Sequence, residues 1–213
     1  MAGKKSVKAG PATGAEVSAR GRLLEAAFSA FTERGFADTS TLEVATRARV
    51  SKRELYALFG SKQDMLIACI SARANRLKMP ADLPEPRDRE MLRRTLITFG
   101  AQLLREVSDP AVIAVFRLAI AEAVRTPEIG RILNEIGMET SRSALRGLMS
   151  RARAANLLDG EPAELADHFV GLLWSNRMLD LLLGTAERPS LQQTMRRAEM
   201  ASEVFLRAYP AAP

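Results

Sequence analysis

Between residues 20 and 76 apolar positions recur at helical spacing, interrupted by residues that start and stop helices. Leu24, Phe28 and Phe31 fall on one face, with Leu23 and Ala27 beside them, and predict a first helix from about Val17 to Arg34. Gly35 follows, as a left-handed helix stop requires. The cap-rich run Asp38, Thr39, Ser40, Thr41 opens a short helix, Leu42 to Ala48. After Arg49 and Val50, Ser51 caps another short helix that ends at Phe59-Gly60. Ser61 then caps a fourth, Lys62 to about Arg76. Two short helices joined by a tight turn behind a longer one make a helix-turn-helix.

At about 100° per residue, the third helix gathers Leu55, Leu58 and Phe59 toward the core. Arg53 and Ala57 point the opposite way, flanked by Glu54 and Tyr56, with Lys52 in the first turn. In such motifs the second helix enters the major groove, its first residues at base edges. Lys52 and Arg53 have the donors for guanine O6 and N7, and Glu54 is an acceptor for a cytosine N4 amine. Thr41, Ser51 and Tyr56 carry hydroxyls suited to phosphate oxygens, which set position but not sequence. Lys62 stands at a helix N-terminus, a second phosphate-binding feature.

The next break is Lys78 to Pro86, three prolines in seven residues, which predicts a linker over 78–87. Beyond it, Pro110, Pro127 and Pro162 mark first helical turns, and Asp109 and Thr126 before the first two are good caps. They divide the remainder into helices of about 88–107, 110–125, 127–155, 162–183 and 190–208, with Gly137 a break point in the third. The expectation is an all-α chain of about nine helices. Residues 1–15 form a disordered basic arm carrying Lys4, Lys5 and Lys8. Residues 16–77 form the helix-turn-helix domain, and 88–209 a larger helical domain for sensing and dimerisation.

Charge sharpens this division. Of the 213 residues, 1–76 hold 13 Lys+Arg against 7 Asp+Glu, while 77–213 hold 18 of each. The whole excess of +6 therefore sits on the helix-turn-helix side, as a polyanion-binding module requires. One histidine, His168, and one cysteine, Cys69, exclude a disulfide and supply too little for a serine or cysteine triad or a zinc site. No phosphate-binding loop of the G-x-x-x-x-G-K-[ST] type is present. The expectation is a protein without enzymatic activity, metal or cofactor. A polar N-terminus and no apolar run of membrane length predict a cytoplasmic protein.

The stretch from Arg22 to Phe36, RLLEAAFSAFTERGF, resembles the first helix of the TetR family of bacterial transcription regulators. Thr39 to Lys62, TSTLEVATRARVSKRELYALFGSK, resembles its helix-turn-helix and the entry to its fourth helix. The resemblance covers about residues 20–70. It implies a homodimeric all-α repressor whose C-terminal domain binds a small-molecule inducer. Two departures stand out. Arg49 occupies a turn position usually held by glycine, at a cost of about 1–2 kcal/mol if the left-handed conformation is kept. Glu54 and Ala57 stand where the family often has Thr and an aromatic or His, so no operator sequence carries over.

Val112 to Pro127 resembles the AefR-like group of TetR C-terminal domains, whose ligands are varied. Apolar residues nearly encircle the segment Phe169 to Leu183, so several sides of it must be covered. With the final helix it predicts a dimeric four-helix bundle through Phe169, Leu173, Leu181, Leu191, Met195, Ala198 and Phe205. An effector pocket, mostly apolar with a few polar groups, is expected among Phe99, Leu103, Phe116, Arg117 and Glu122, with Met138, Trp174, Asn176, Arg177 and Met178. Arg117 with Glu122 also fits a structural ion pair. The expected partners are double-stranded DNA, a second copy of the chain and an unidentified small molecule, with no membrane. The rival reading is a helical protein that binds a small molecule or partner and has no specific DNA target.

Overall fold

A computed structural model describes residues 18–74 and 83–211. The basic arm, with Lys4, Lys5 and Lys8, and the first half of the Pro-rich linker, residues 78–82, lie outside the described residues. Everything regular in the described residues is helical. The first four helices are α1 (Ala19–Arg34), α2 (Thr41–Ala48), α3 (Lys52–Phe59) and α4 (Lys62–Ala74). After the linker come α5 (Arg89–Val107), α6 (Pro110–Glu122) and α7 (Pro127–Ile132). A π-helical segment, Leu133–Met138, leads into α8 (Glu139–Ala154). The last three are α9 (Pro162–Trp174), α10 (Arg177–Leu183) and α11 (Leu191–Ala208).

Side-chain caps account for most of these starts. Ser18, Ser40, Ser51, Asp88 and Asp109 each accept an N–H from the first turn of the helix they precede. Ser61 does the same for Asp64 in α4, at 3.0 Å. Ser190 and Gln193 form a reciprocal capping box on α11. Thr126 makes no side-chain cap bond; Pro127 in the first turn serves there instead. Gly35 ends α1 at φ 83°, ψ 163°, a region closed to other residues.

Eleven α-helices among the described residues, against about nine expected, arise from two breaks inside expected helices. The helix expected over 127–155 widens into the π-helical turn at Leu133–Met138, which contains Gly137. The helix expected over 162–183 stops at Ser175, whose φ 46° and ψ −129° leave helical space. Gly137 marks the first of these breaks, whereas continuous hydrophobicity conceals the second, because both α9 and α10 bury residues.

Two buried clusters hold the chain together. In the first, α5, α8, α9 and α11 enclose Leu96, Phe99, Leu148, Phe169, Leu173 and Phe205. Phe169 and Phe205 meet edge to face at 5.6 Å between centroids. This overturns part of the expected dimer seam: Phe169, Leu173, Ala198 and Phe205 are fully buried within one chain, and Leu181 nearly so. The reason is α5, which fills the space expected for a partner. At Gly100 it comes so close that a Cβ would lie 3.1 Å from Leu173 Cδ1 and 3.4 Å from Ala198 Cβ. Leu191 and Met195 remain open, at 67% and 42% exposure.

The second cluster joins α1–α4 to α6, α7 and the π-helical segment on the far side of the linker. Phe28, Phe31, Leu55, Leu66 and Ile70 share a core with Val115, Leu118, Ala119, Ile129 and Leu133. Helix α4 packs on α6, α7 and the π-helical segment. Apolar contact thus runs across the boundary expected at residues 78–87.

Candidate functional site

The turn between α2 and α3 is built on Arg49. It takes the left-handed conformation, φ 56° and ψ 47°, and its N–H donates to the carbonyls of Ala45 and Thr46. The Val50 N–H also donates to the Ala45 carbonyl, at 3.0 Å. Two N–H groups bonded back onto α2 hold the tight turn despite the missing glycine. Arg22 of α1 closes the same end, donating from Nε to the Ala48 carbonyl at 3.1 Å.

On α3, Leu55 and Phe59 are buried, whereas Leu58 is 39% exposed. The expectation that Leu58 faces the core is therefore corrected. Three successive residues, Tyr56 to Leu58, are open because an eight-residue helix supported from one side buries only a narrow stripe. Lys52, Arg53 and Glu54 are all exposed in the first turn. Ser51 spends its acceptor on the Glu54 N–H, at 3.1 Å, and keeps its own hydroxyl proton to donate.

Tyr56 ties the two helices on the outer face. Its hydroxyl lies 3.1 Å from Thr41 Oγ1, and its ring 5.9 Å from Lys52 Nζ. Thr41, Lys52 and Tyr56 thus form one linked group beside Arg53. Lys62 is placed otherwise: Nζ donates to the Ala37 carbonyl at 3.1 Å and sits 4.5 Å from the Phe36 ring centre. It closes the loop between α1 and α2, with two donors left over. Behind this face Arg47 bridges Glu33 and Glu43, at 2.9 and 2.7 Å. The Ser29 hydroxyl and then Arg47 hold the Glu33 carboxyl below its ordinary range. Leu42, at the start of α2, is a further exposed apolar side chain that pattern reading passes over.

The second site is a cavity of about 260 Å³ in the C-terminal part. Helix α5 contributes Phe99, Leu103 and Val107, and α6 contributes Phe116. Met138, Ser141 and Arg142 come from the junction of the π-helical segment with α8. Asp167, Val170 and Trp174 line it from α9, and Met178 from α10. Six of the ten residues expected at a pocket are brought together here: Phe99, Leu103, Phe116, Met138, Trp174 and Met178.

Arg117, Glu122, Asn176 and Arg177 do not line the cavity, and the structure gives each a different place. Arg117 donates from Nε to the Leu182 carbonyl and from a terminal nitrogen to that of Leu181, both at 2.9 Å. It caps α10 and is not paired with Glu122. Glu122 is buried at the end of α6, its carbonyl accepting from Arg125 and Thr126. Asn176 precedes α10 and is exposed, and Arg177 is half-buried beside it. Of the lining residues that pattern reading missed, Val107 stands four residues beyond Leu103. Asp167 and Val170 precede Trp174 at helical steps, so their register is a usable signal. Ser141 and Arg142 carry none, since they begin a mostly polar helix.

The rare reactive side chains are both engaged. Cys69 is buried, its thiol pushed up to about 12 chiefly by that burial, and its Sγ lies 3.4 Å from the Leu24 carbonyl. His168 is hydrogen-bonded through Nδ1 to the Tyr209 hydroxyl and stacks on that ring.

Comparison with known families decides what this architecture is. Residues 94–211 match the AefR-like transcriptional repressor C-terminal domain, and residues 23–69 match the tetR family of bacterial regulatory proteins. The chain belongs to the TetR family of transcriptional regulators. Among solved relatives, a TetR transcriptional regulator of Agrobacterium tumefaciens is 27% identical, with TM-score 0.79 over 91% of this chain and 94% of that one. The flavonoid-responsive regulator FrrA is 30% identical, with TM-score 0.74 over 90% and 97%. A TetR-family regulator of Mesorhizobium loti, 23% identical, shares the fold with TM-score 0.74 over 91% and 97%. Among curated proteins none matches the sequence. As a TetR-family chain this is a DNA-binding regulator by fold, with α2 and α3 as its helix-turn-helix. No helix among the described residues is long and apolar enough to cross a membrane.

Proposed function

We propose that this TetR-family chain is a sequence-specific repressor. It binds a near-palindromic operator as a homodimer and leaves it when a small molecule fills the cavity behind α5, α8 and α9. One observation carries the DNA-reading part. Lys52, Arg53 and Glu54 stand exposed in the first turn of α3, beside a Thr41–Tyr56 pair that can hold phosphate. In this reading Arg53 meets a guanine edge and Glu54 a cytosine amine, while Thr41, Ser51, Tyr56 and Arg49 set register on the backbone. Lys62 contributes its remaining donors.

The dimer reading moves to the outer sides of α9 and α11. A groove there is lined by His168, Gly171, Leu172, Arg197, Val204 and Tyr209. Leu179, Leu183, Leu191, Met195 and Met200 add exposed apolar surface on α10 and α11. Two copies joined this way would set recognition helices about 34–36 Å apart on successive major-groove turns. FrrA, similar over nearly its whole length, is flavonoid-responsive, which supports a small aromatic effector here. The chain acts on DNA in the cytoplasm and is not an enzyme, its one histidine and one cysteine being held in structural contacts.

Selection of bound duplexes from a random library, with a salt series on the winner, tests this. The expected result is a palindrome of two half-sites whose preference over random duplex survives salt. Arg53→Ala should lose about 1–3 kcal/mol and relax one position of each half-site. Uniformly salt-sensitive binding with nothing enriched would overturn the reading and leave a ligand-binding helical protein without an address.

A further inference from the structure

We propose that the cavity is built for a compact aromatic acid of about two rings, its carboxylate or acidic phenol received by Arg142. This rests on the reading of the cavity as the effector site. Size comes first. An apolar cavity of about 150 Å³ takes one benzene, and this one measures about 260 Å³. A bicyclic ligand fits that space. The walls favour flat rings: Phe99, Phe116 and Trp174 offer aromatic faces and edges, and Met138 and Met178 offer thioethers.

Polarity then selects the acid. Of the lining groups only Ser141, Arg142 and Asp167 are polar. The Ser141 hydroxyl donates to the Met138 carbonyl at 2.9 Å. Arg142 is half-buried and meets no carboxylate within ion-pair distance among the described residues. One terminal nitrogen donates to Asn134 Oδ1 at 2.6 Å, which leaves the rest of a five-donor fork for a ligand. Asp167 is exposed within one chain, whereas Arg142 is half-buried. The half-buried charge is therefore positive, and a carboxylate meets it with two parallel bonds.

The geometry also links this ligand to the rest of the chain. Asn134 belongs to the π-helical segment that packs on α4, so an acid on the free donors of Arg142 meets a side chain already tied to that segment.

Calorimetric titration of the full chain with 2-naphthoate, methyl 2-naphthoate and 2-naphthylmethylammonium tests the proposal. The acid should bind at least tenfold tighter than the neutral ester, and the ammonium weakest. Arg142→Gln should remove the acid's advantage and leave the ester within about twofold, which also shows that the variant is folded. Leu103→Trp, which fills the cavity, should abolish binding of all three. If the ester or the ammonium binds the native chain as tightly as the acid, the ligand class is wrong while the cavity reading stands. If none of the three binds, both fall. Should Arg142→Gln fail to fold, the ranking on the native chain still decides.

Discussion

Three residues other than glycine adopt positive φ among the described residues: Arg49, Asn156 and Ser175. Asn tolerates this region because its short amide bonds locally, whereas Arg and Ser pay for it. The two costly positions sit where function is proposed. Arg49 makes the turn into α3, and Ser175 separates Trp174 from Met178 at the cavity wall. Strain kept at such places is expected of functional sites. Arg49→Gly should therefore raise stability by about 1 kcal/mol, seen as a higher urea midpoint at unchanged slope. If Arg49 meets a phosphate, the same variant should bind its operator more weakly and lower the salt slope by about 1. Stability gained with an unchanged salt slope would assign Arg49 to the turn alone.

At the scale of elements, helix starts and most helix ends were legible in the sequence, but the groups that close the ends were not. Starts depend on a Ser, Asp or Pro beside the helix, so Ser51, Ser61, Asp109 and Pro162 announce themselves. Ends are closed from far along the chain by arginines. Arg22 caps α2, Arg197 donates to the Leu172 and Leu173 carbonyls at the end of α9, and Arg117 caps α10. Arg89 reaches furthest: it donates to the Leu206 and Tyr209 carbonyls of α11 and the Leu157 carbonyl of the loop before α9. No local pattern reveals a partner 120 residues away. That is why Arg117 read as a pocket or ion-pair residue, while the apolar wall Phe99, Leu103 and Trp174 was found by register. A cation also complements the negative end of the helix dipole. Arg89→Lys retains the charge but cannot span three carbonyls with a planar fork. It should cost about 2 kcal/mol in chemical denaturation. A loss below ~0.5 kcal/mol would mean that charge, not geometry, closes α11.

For the whole molecule, the question is how a cavity beside α5 and α9 reaches helices that meet DNA. Sequence alone placed a linker, and with it a domain boundary, over 78–87. The core shows why that division is too simple: α1 and α4 are buried against α6 and α7 as well as against each other. Ile129 and Leu118 supply the far side of the cluster that holds Phe31 and Leu66. Hydrophobic pattern predicts that a face is buried, not which distant helix covers it, so this contact was not legible. Its consequence is cooperative unfolding of the two parts. Trp174 is the sole tryptophan and lies in the C-terminal part, so its emission tracks that part, while far-ultraviolet circular dichroism tracks all helices. In the native chain the two urea transitions should coincide. Ile129→Ala removes a fully buried side chain from the shared core and should cost about 2–5 kcal/mol. Because that loss falls on the contact between the parts, the dichroism transition should then begin at lower urea than the tryptophan transition. Leu148→Ala, buried in the α5–α8–α9–α11 cluster, should cost a similar amount. It should bring both transitions to lower urea, with no helix lost ahead of the tryptophan signal. Two separate transitions in the native chain would mean that α4 is held too loosely to carry a signal from the cavity.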